Sequence, residues 1–213
     1  MLVELTAEAD LLRTDGAGFG ALLAAHSSPP DSLQDAAPDV RSVLTAMAGG
    51  PLDRALAVAA APLVSFVLTV AGPDTRLVHR AWLNGSGCAL LLGVHEDLFQ
   101  LVPHDPAFLT AALVRLARLR PRRRSAEPTS APADDGTVRA LLAPDPGTRR
   151  VALDRLDAGY AWQLRGPDGA TLTVVDGRSG VRVHVPETGT FEPTTSTAIY
   201  RVLSTVVPPP GQA

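Results

Sequence analysis

Residues 76–94 read RLVHRAWLNGSGCALLLGV. Before Asn84, alternate residues fall into two sets, Leu77, His79 and Ala81 against Val78, Arg80 and Trp82, as in a strand whose side chains point to opposite faces. After Gly87 an apolar run follows, so the stretch is typical of two consecutive β-strands. The Asn84-Gly85-Ser86-Gly87 stretch between them favours a tight hairpin, because Asn and Gly tolerate the positive φ that such turns need. This stretch therefore predicts an antiparallel hairpin whose second strand is buried.

Further strands and a closing helix lie on either side of the hairpin. Residues 63–71 predict a strongly apolar strand, and residues 98–102 predict another. Asp105-Pro106 predicts the start of a helix, because proline is favoured at the first helical position. The apolar face of that helix runs from Phe108 to Leu119.

The residues before the first strand predict helices. Apolar residues recur at helical spacing over residues 5–25, where three glycines interrupt the pattern, so we expect two short helices. Residues 38–48 and 52–61 predict two more helices, each ended by a Gly or Pro signal.

The same order of elements returns in the second half. Trp82-Leu-Asn-Gly-Ser-Gly aligns with Trp162-Gln-Leu-Arg-Gly-Pro-Asp-Gly, and the strands and helix that follow also align. The predicted fold class is therefore α+β, a quasi-twofold repeat of an antiparallel β-meander plus a C-terminal helix, preceded by N-terminal helices. The elements expected in the second half are strands at 149–156, 160–165, 170–175 and 181–185 and a helix at 194–207.

The domain organisation follows from these patterns. The linker is predicted because its proline, small and charged residues show no apolar periodicity and cannot bury enough surface to become ordered. All segments are expected to form one composite domain. The segments are an N-terminal helical segment (1–62), a first sheet–helix unit (63–119), a flexible Arg/Pro linker (120–137), a second sheet–helix unit (138–207) and a disordered tail (208–213).

Composition excludes several classes of function. All 19 basic residues among the 213 are arginine, so neither Schiff-base chemistry on a lysine nor a phosphate-loop lysine is available. The net charge of −3 does not favour nucleic-acid binding. The single cysteine excludes an internal disulfide and a cysteine-rich zinc site. Without an apolar window of about 18 residues or a basic signal-peptide start, we expect a soluble cytoplasmic protein that does not enter membranes.

No residue pattern indicates an enzyme. We expect no catalytic, cofactor-binding or metal-ligating residue, and the sequence assigns no partner-binding residue. His95-Glu96-Asp97 with His104-Asp105 is the one local cluster, and turn and capping preferences explain its acids. For an enzyme or a ligand-binding domain, the first residues to suspect would be His79, His95, His104 and Asp105.

Other reactive residue types have structural interpretations. Cys88 begins an apolar strand and is expected to be a buried, inert thiol. Ser86 and Ser179 lack the Gly-x-Ser-x-Gly spacing of a nucleophile elbow and are expected in turns. Gly16-Ala-Gly-Phe-Gly20 is interpreted as a helix breaker. The arginines of residues 115–124 are expected to end a helix and solvate the linker.

A group of apolar segments carries a resemblance to a known family: Leu5-Thr-Ala-Glu, Val43-Leu-Thr-Ala-Met-Ala-Gly-Gly-Pro-Leu-Asp-Arg-Ala-Leu-Ala-Val-Ala-Ala-Ala-Pro62, Val67-Leu-Thr-Val, Ala89-Leu-Leu-Leu-Gly-Val, Leu98-Phe-Gln-Leu-Val-Pro and the predicted helix from Phe108 to Leu119. Their order resembles the EspG family of type VII (ESX) secretion chaperones. The resemblance implies a quasi-twofold α+β fold without cofactor, in a chaperone that binds the hydrophobic tip of a helical-hairpin substrate of PE–PPE or WXG type. One alternative is a self-associating, homodimeric assembly or regulatory protein; another, less favoured, is a small-molecule-binding domain.

Overall fold

The computed structural model describes residues 1–6, 11–28, 34–120 and 129–207, which form two compact units. Unit 1 contains Met1–Phe66 and His79–Leu109, and unit 2 contains Val67–Val78 and Thr110–Pro208. Each unit combines helices with an antiparallel sheet, which confirms the predicted mixed class. The tail predicted at 208–213 lies outside the described residues.

The elements of the first part of the chain are β1 (Val3–Thr6), β2 (Leu11–Thr14), α1 (Gly16–His26), α2 (Pro38–Met47), α3 (Pro51–Ala60), β3 (Val64–Ala71), β4 (Arg76–Asn84), β5 (Gly87–His95), β6 (Leu98–His104), a 3₁₀ turn (Pro106–Phe108) and α4 (Leu109–Leu116). Those of the second part are β7 (Ala131–Pro132), α5 (Asp135–Leu141), α6 (Pro146–Arg155), β8 (Ala158–Arg165), β9 (Thr171–Gly177), β10 (Gly180–Val185), β11 (Thr190–Thr194) and α7 (Ser196–Val206).

Unit 1 pairs its strands in the order β1-β2-β6-β5-β4, all antiparallel. One face of this sheet packs under α1, α2 and α3. Leu12 and Leu91 both lie opposite Leu101 on that face, and the Phe19 and Trp82 rings stack with centroids 5.6 Å apart. Truncating a core leucine of this kind to alanine typically costs about 2–5 kcal/mol, so this face supplies much of the stability of unit 1.

Unit 2 pairs its strands in the order β3-β8-β9-β10-β11-β7. Helices α5 and α6 cover one face, where Leu141, Leu153 and Phe191 belong to a buried cluster. Trp162 is 0% exposed. It is absent from that cluster, although its neighbour Ala161 belongs to it, because adjacent strand residues point to opposite faces.

A buried arginine joins the turn between β3 and β4 to the α5–α6 connection within unit 2. Arg149 is 2% exposed. Its Nε–H donates to the Gly72 carbonyl oxygen at 2.9 Å, and its Nη1 donates to the Ala143 and Pro144 carbonyl oxygens at 2.8 and 2.6 Å. Arg76 donates beside it to Leu142 at 2.9 Å, and burial together with the charge of Arg149 lowers the pKa of Arg76.

The helical prediction for residues 5–25 is wrong in its first part. Residues 3–6 and 11–14 form β1 and β2, because their apolar residues also alternate and meet the sheet with period two. Helix α1 then begins after Asp15, whose side chain caps it by accepting from Gly18 N–H at 2.6 Å. The interpretation of Gly16-Ala-Gly-Phe-Gly20 as a helix breaker is wrong, because these residues form the first turns of α1. Gly18 is needed for packing, since a Cβ there would come within 2.2 Å of the Leu2 carbonyl oxygen.

The strand predicted at 149–156 is also wrong, because residues 146–155 form α6. Asp145 caps this helix by accepting from Thr148 N–H at 2.6 Å, and Pro146 occupies its first position. Two elements of the second half were not predicted: α5, which includes residues 138–141, and β11 at residues 190–194.

The predicted linker at 120–137 is partly ordered. Its residues 131–132 form β7, and residues 135–137 begin α5, because Asp134 caps that helix by accepting from Thr137 N–H at 2.7 Å. Residues 121–128 of the predicted linker lie outside the described residues.

Candidate partner-binding surface

Unit 1 presents a second sheet face, opposite to the one that packs under α1 to α3. Residues that alternate with Leu12, Leu91 and Leu101 point to this face. On β2 and β6 its aliphatic side chains are half-buried and its arginine is exposed, whereas Leu90 and Cys88 on the same face of β5 are buried. We call this surface the open face and define it as Glu4, Leu11, Arg13, Leu92, Leu98, Gln100 and Val102.

The register arranges the open face in two rows. The polar row crosses β1, β2 and β6, with Glu4 opposite Arg13 and Arg13 opposite Gln100; Leu92 continues it on β5. In the apolar row, the pairing of Leu12 with Leu101 places Leu11 beside Val102. The row ends at Leu90, which lies opposite Val102 on β5 and is buried. The rows are two residues apart along each strand, which corresponds to about 6.6–6.8 Å.

The open face can bury apolar surface and satisfy one charge. Its aliphatic side chains retain area that a partner could remove from water. Arg13 makes no hydrogen bond or ion pair with another described residue, so its guanidinium is available to an acceptor.

A groove between α5 and α6 is a second concave surface, in unit 2. The cavity has a volume of about 550 Å³ and is lined by small residues of both helices, including Ala140, Gly147 and Ala152. Val151 is 54% exposed at its edge, and Asp134 and Arg155 contribute one charge of each sign.

A smaller polar cavity of about 280 Å³ lies where α6 meets β8. Asp154, Asp157 and Asp176 line it together with Tyr160. Asp157 has a left-handed φ of 46°, and its carbonyl approaches Gly177 so closely that a Cβ there would come within 2.2 Å. The Tyr160 hydroxyl lies 2.7 Å from an Asp176 carboxylate oxygen.

The register separates the histidines that were the first suspects for an enzyme. His79 is buried on β4, where its Nδ1 accepts from Gly93 N–H at 3.2 Å. His104 on β6 lies opposite Cys88 on β5, and Cys88 lies opposite Leu83 on β4. His79 is four residues from Leu83 along β4, so His79 and His104 are not neighbours in the sheet. His95 is exposed at the end of β5.

Asp105 caps the 3₁₀ turn by accepting from Ala107 N–H at 2.8 Å. Within residues 1–6, 11–28, 34–120 and 129–207, no group of three His, Cys, Asp or Glu side chains is placed to hold a metal ion.

Cys88 is a buried thiol, as expected. Burial raises its pKa to about 12, and the negative charge of Asp105 adds to the effect. A small cavity of about 110 Å³ lies beside it, with Arg54 and His104 in its wall. Since the thiolate is the reactive form, this environment disfavours nucleophilic chemistry.

The suspected serines occupy turns. The Ser86 N–H and hydroxyl both donate to the Asn84 side-chain oxygen, at 2.9 and 2.6 Å, in the β4–β5 turn. Ser179 lies in the turn between β9 and β10.

The arginine run leaves α4 in an ordered path. Arg115 lies in the last turn of α4 and Arg118 follows with a left-handed φ of 55°. The Tyr160 hydroxyl lies 2.9 Å from the Arg118 carbonyl oxygen, and the Ser196 hydroxyl donates to the Arg120 carbonyl oxygen at 2.7 Å. The arginines at 122–124 lie outside the described residues.

The open face was missed in the sequence because β2 was interpreted as helix. The alternation of Val3, Leu5, Leu12 and Thr14 against Glu4 and Arg13 was the available signal, and it needs the period-two interpretation to appear.

The described part of the chain contains no helix that is long and apolar enough to cross a membrane. No family model and no curated protein matches the chain. Among solved structures, it is similar to the type VII secretion system chaperone EspG5 of Mycobacterium tuberculosis, in a structure with the PE25–PPE41 dimer. The identity is 13%, the match covers 95% of this chain and 98% of that chain, and the TM-score is 0.56. The expected likeness to an EspG protein is therefore confirmed at the level of the fold.

Proposed function

We propose that this chain is an EspG-like chaperone of type VII secretion, without enzymatic activity. It binds the apolar tip of a helical secretion substrate of the PE–PPE or WXG type and keeps that substrate soluble in the cytoplasm. The observation that carries the proposal is the open face, an aliphatic sheet surface with one cation, on a fold similar to that of a secretion chaperone.

Burial of apolar area explains why such a surface suffices. Covering about 300 Å² of a partner's aliphatic tip would contribute about 7.5 kcal/mol at roughly 25 cal/mol per Å², before the cost of association. The net result is reversible binding, which suits a chaperone that must release its substrate. No cofactor and no chemical step is required.

The quasi-twofold repeat is part of the same proposal, with a changed alignment. In chain order, β3 to β6 and then α4 correspond to β8 to β11 and then α7. The alignment of Trp82 with Trp162 matches β4 with β8, because it counts only three strands before the last helix of the second half and omits β11. Counting β11 shifts the correspondence by one strand and gives each half four strands and a helix.

Co-expression tests the proposal. The tagged chain is produced with each helical-hairpin secretion protein encoded beside its gene, and complexes are measured by size-exclusion chromatography with light scattering. We expect one of these proteins to form a soluble, stoichiometric complex. Val102→Asp on the open face should abolish it, since a carboxylate would be buried against the apolar tip.

Val206→Asp is the matched control. Val206 is a 41% exposed valine on α7, in unit 2, and its replacement should leave the complex intact. Thermal unfolding of both variants identifies any loss of folding, and Leu98→Ser provides a milder change on the same face. The proposal fails if none of the encoded proteins forms a complex, or if folded Val102→Asp binds like the unmodified chain. A chain that forms only homodimers would favour the self-associating alternative.

A further inference from the structure

We propose that Arg13 selects the partner, by pairing with a carboxylate that the partner helix carries one turn away from its aliphatic contact residues. This inference rests on the proposed function, because it assigns a chemical requirement to the partner of the open face. The occupant is thus an acidic, amphipathic helix, in contrast to a purely apolar or basic one.

The spacing of the two rows matches a helix. Residues of the polar and apolar rows are about 6.6–6.8 Å apart along a strand, and residues i and i+4 of an α-helix are about 6 Å apart along its axis. A helix that lies along β2 and β6 therefore places an aliphatic side chain over Leu11 and Val102. Its residue four positions away then lies over Arg13 and Gln100.

Charge gives the polar row its preference. Arg13 is the only arginine of β1, β2, β5 and β6, and those strands contain no lysine. A fully apolar helix over this position would remove water from the guanidinium without replacing its hydrogen bonds, which is unfavourable. A carboxylate can accept a bidentate pair from it, whereas a basic residue is repelled.

Glu4 provides a second charge with which the role of Arg13 can be tested. It lies directly opposite Arg13 across β1 and β2, and no ion pair joins the two side chains. A partner carboxylate has to approach Arg13 beside this negative charge. Removing the charge of Glu4 should therefore strengthen binding, while removing that of Arg13 should weaken it.

The dissociation constant for the helical-hairpin protein encoded beside this gene, measured by calorimetry at low and moderate salt, tests the inference. We expect Arg13→Gln to weaken binding about 5-fold, and Arg13→Glu about 30-fold, with the loss shrinking as salt increases. Glu4→Gln should strengthen binding about 2-fold. Arg80→Gln is the control, since Arg80 is exposed on the opposite face of the same sheet, in register with Leu91, and should change nothing.

Partner variants complete the test. Each acidic residue of the partner's tip is replaced by glutamine, and one replacement should weaken binding to the unmodified chain but not to Arg13→Gln. The inference is overturned if Val102→Asp abolishes binding while folded Arg13→Gln binds like Arg80→Gln; the proposed function then stands. If no helical-hairpin protein binds at all, the proposed function fails, and the inference fails with it.

Discussion

Replacing Arg149 by alanine tests how much of unit 2 depends on one buried cation. The guanidinium reaches three backbone carbonyl oxygens at 2.6–2.9 Å, on Gly72, Ala143 and Pro144. These acceptors belong to the β3–β4 turn and to the α5–α6 connection, which are distant in sequence. Removing the side chain breaks all three bonds together and leaves a cavity in their place.

The magnitude follows from those contacts. A hydrogen bond from a charged group contributes about 1.5–3 kcal/mol net. A fourth contact, from the Arg149 Nη2 to the Pro73 carbonyl oxygen at 3.5 Å, is too long to add to this sum. Part of the loss is returned, because the cation no longer has to be desolvated and Arg76 is freed from a neighbouring positive charge. We expect Arg149→Ala to lower the free energy of unfolding by about 4 kcal/mol and Tm by about 10 °C.

Urea unfolding followed by tryptophan fluorescence measures this loss, because Trp162 is fully buried in unit 2. Arg150→Ala is the matched control: Arg150 is the next residue of α6 and pairs with Asp74, but its side chain is 56% exposed. Its loss should change the free energy of unfolding little, because an exposed ion pair is screened by solvent. The reasoning is refuted if Arg149→Ala unfolds within 1 kcal/mol of the unmodified chain, or if both variants lose the same amount.

Two further predictions concern the ends of helices. Arg118→Gly should raise the free energy of unfolding by about 0.5–1 kcal/mol in urea titrations, because Arg118 has a left-handed φ of 55° that glycine adopts freely. Arg115→Gly, within α4, should lower it by about 1 kcal/mol, and equal effects of the two changes would contradict the argument. The N–H and hydroxyl of Thr148 donate to the Asp145 carboxylate and hold its pKa below the usual 3.8. The ionised carboxylate therefore stabilises the folded state above pH 3.8. This contribution is lost as the pH falls through the lower pKa of the folded state. Asp145→Asn keeps a capping oxygen but cannot titrate, so its thermal stability should approach that of the unmodified chain as pH falls below about 4; a constant difference would exclude the linkage.

The hairpin around Asn84 could be predicted because its signals are local. Alternation, an Asn-Gly turn and an apolar run lie within 19 residues, and β4 and β5 close at Asn84 and Gly87 as expected. Helix α7 was predicted for a similar reason, since Ile199 and Leu203 mark one buried face.

The errors occurred where a pattern fits two periods. Val3, Leu5 and Leu12 fit both a helix and a pair of strands, and only the sheet that β2 joins decides between them. In α6 the buried residues include Arg149, so the helix lacks an apolar stripe, and its Asp145-Pro146 start was the better signal. The alternation in β1 and β2 was a signal for the open face, but the sequence does not show the register of β2 with β6 that assembles this face.

The pairing of β3 with β8 has a consequence for synthesis. Ala71 lies opposite Ala161, so β3 leaves the ribosome about 90 residues before its partner strand, which corresponds to about 5–20 s of translation. During that interval one edge of a strongly apolar strand is unpaired, which is a recognised site for aggregation. During this interval, faster translation of residues 72–161 or a chaperone bound to β3 would reduce aggregation of the nascent chain and increase the yield of folded protein.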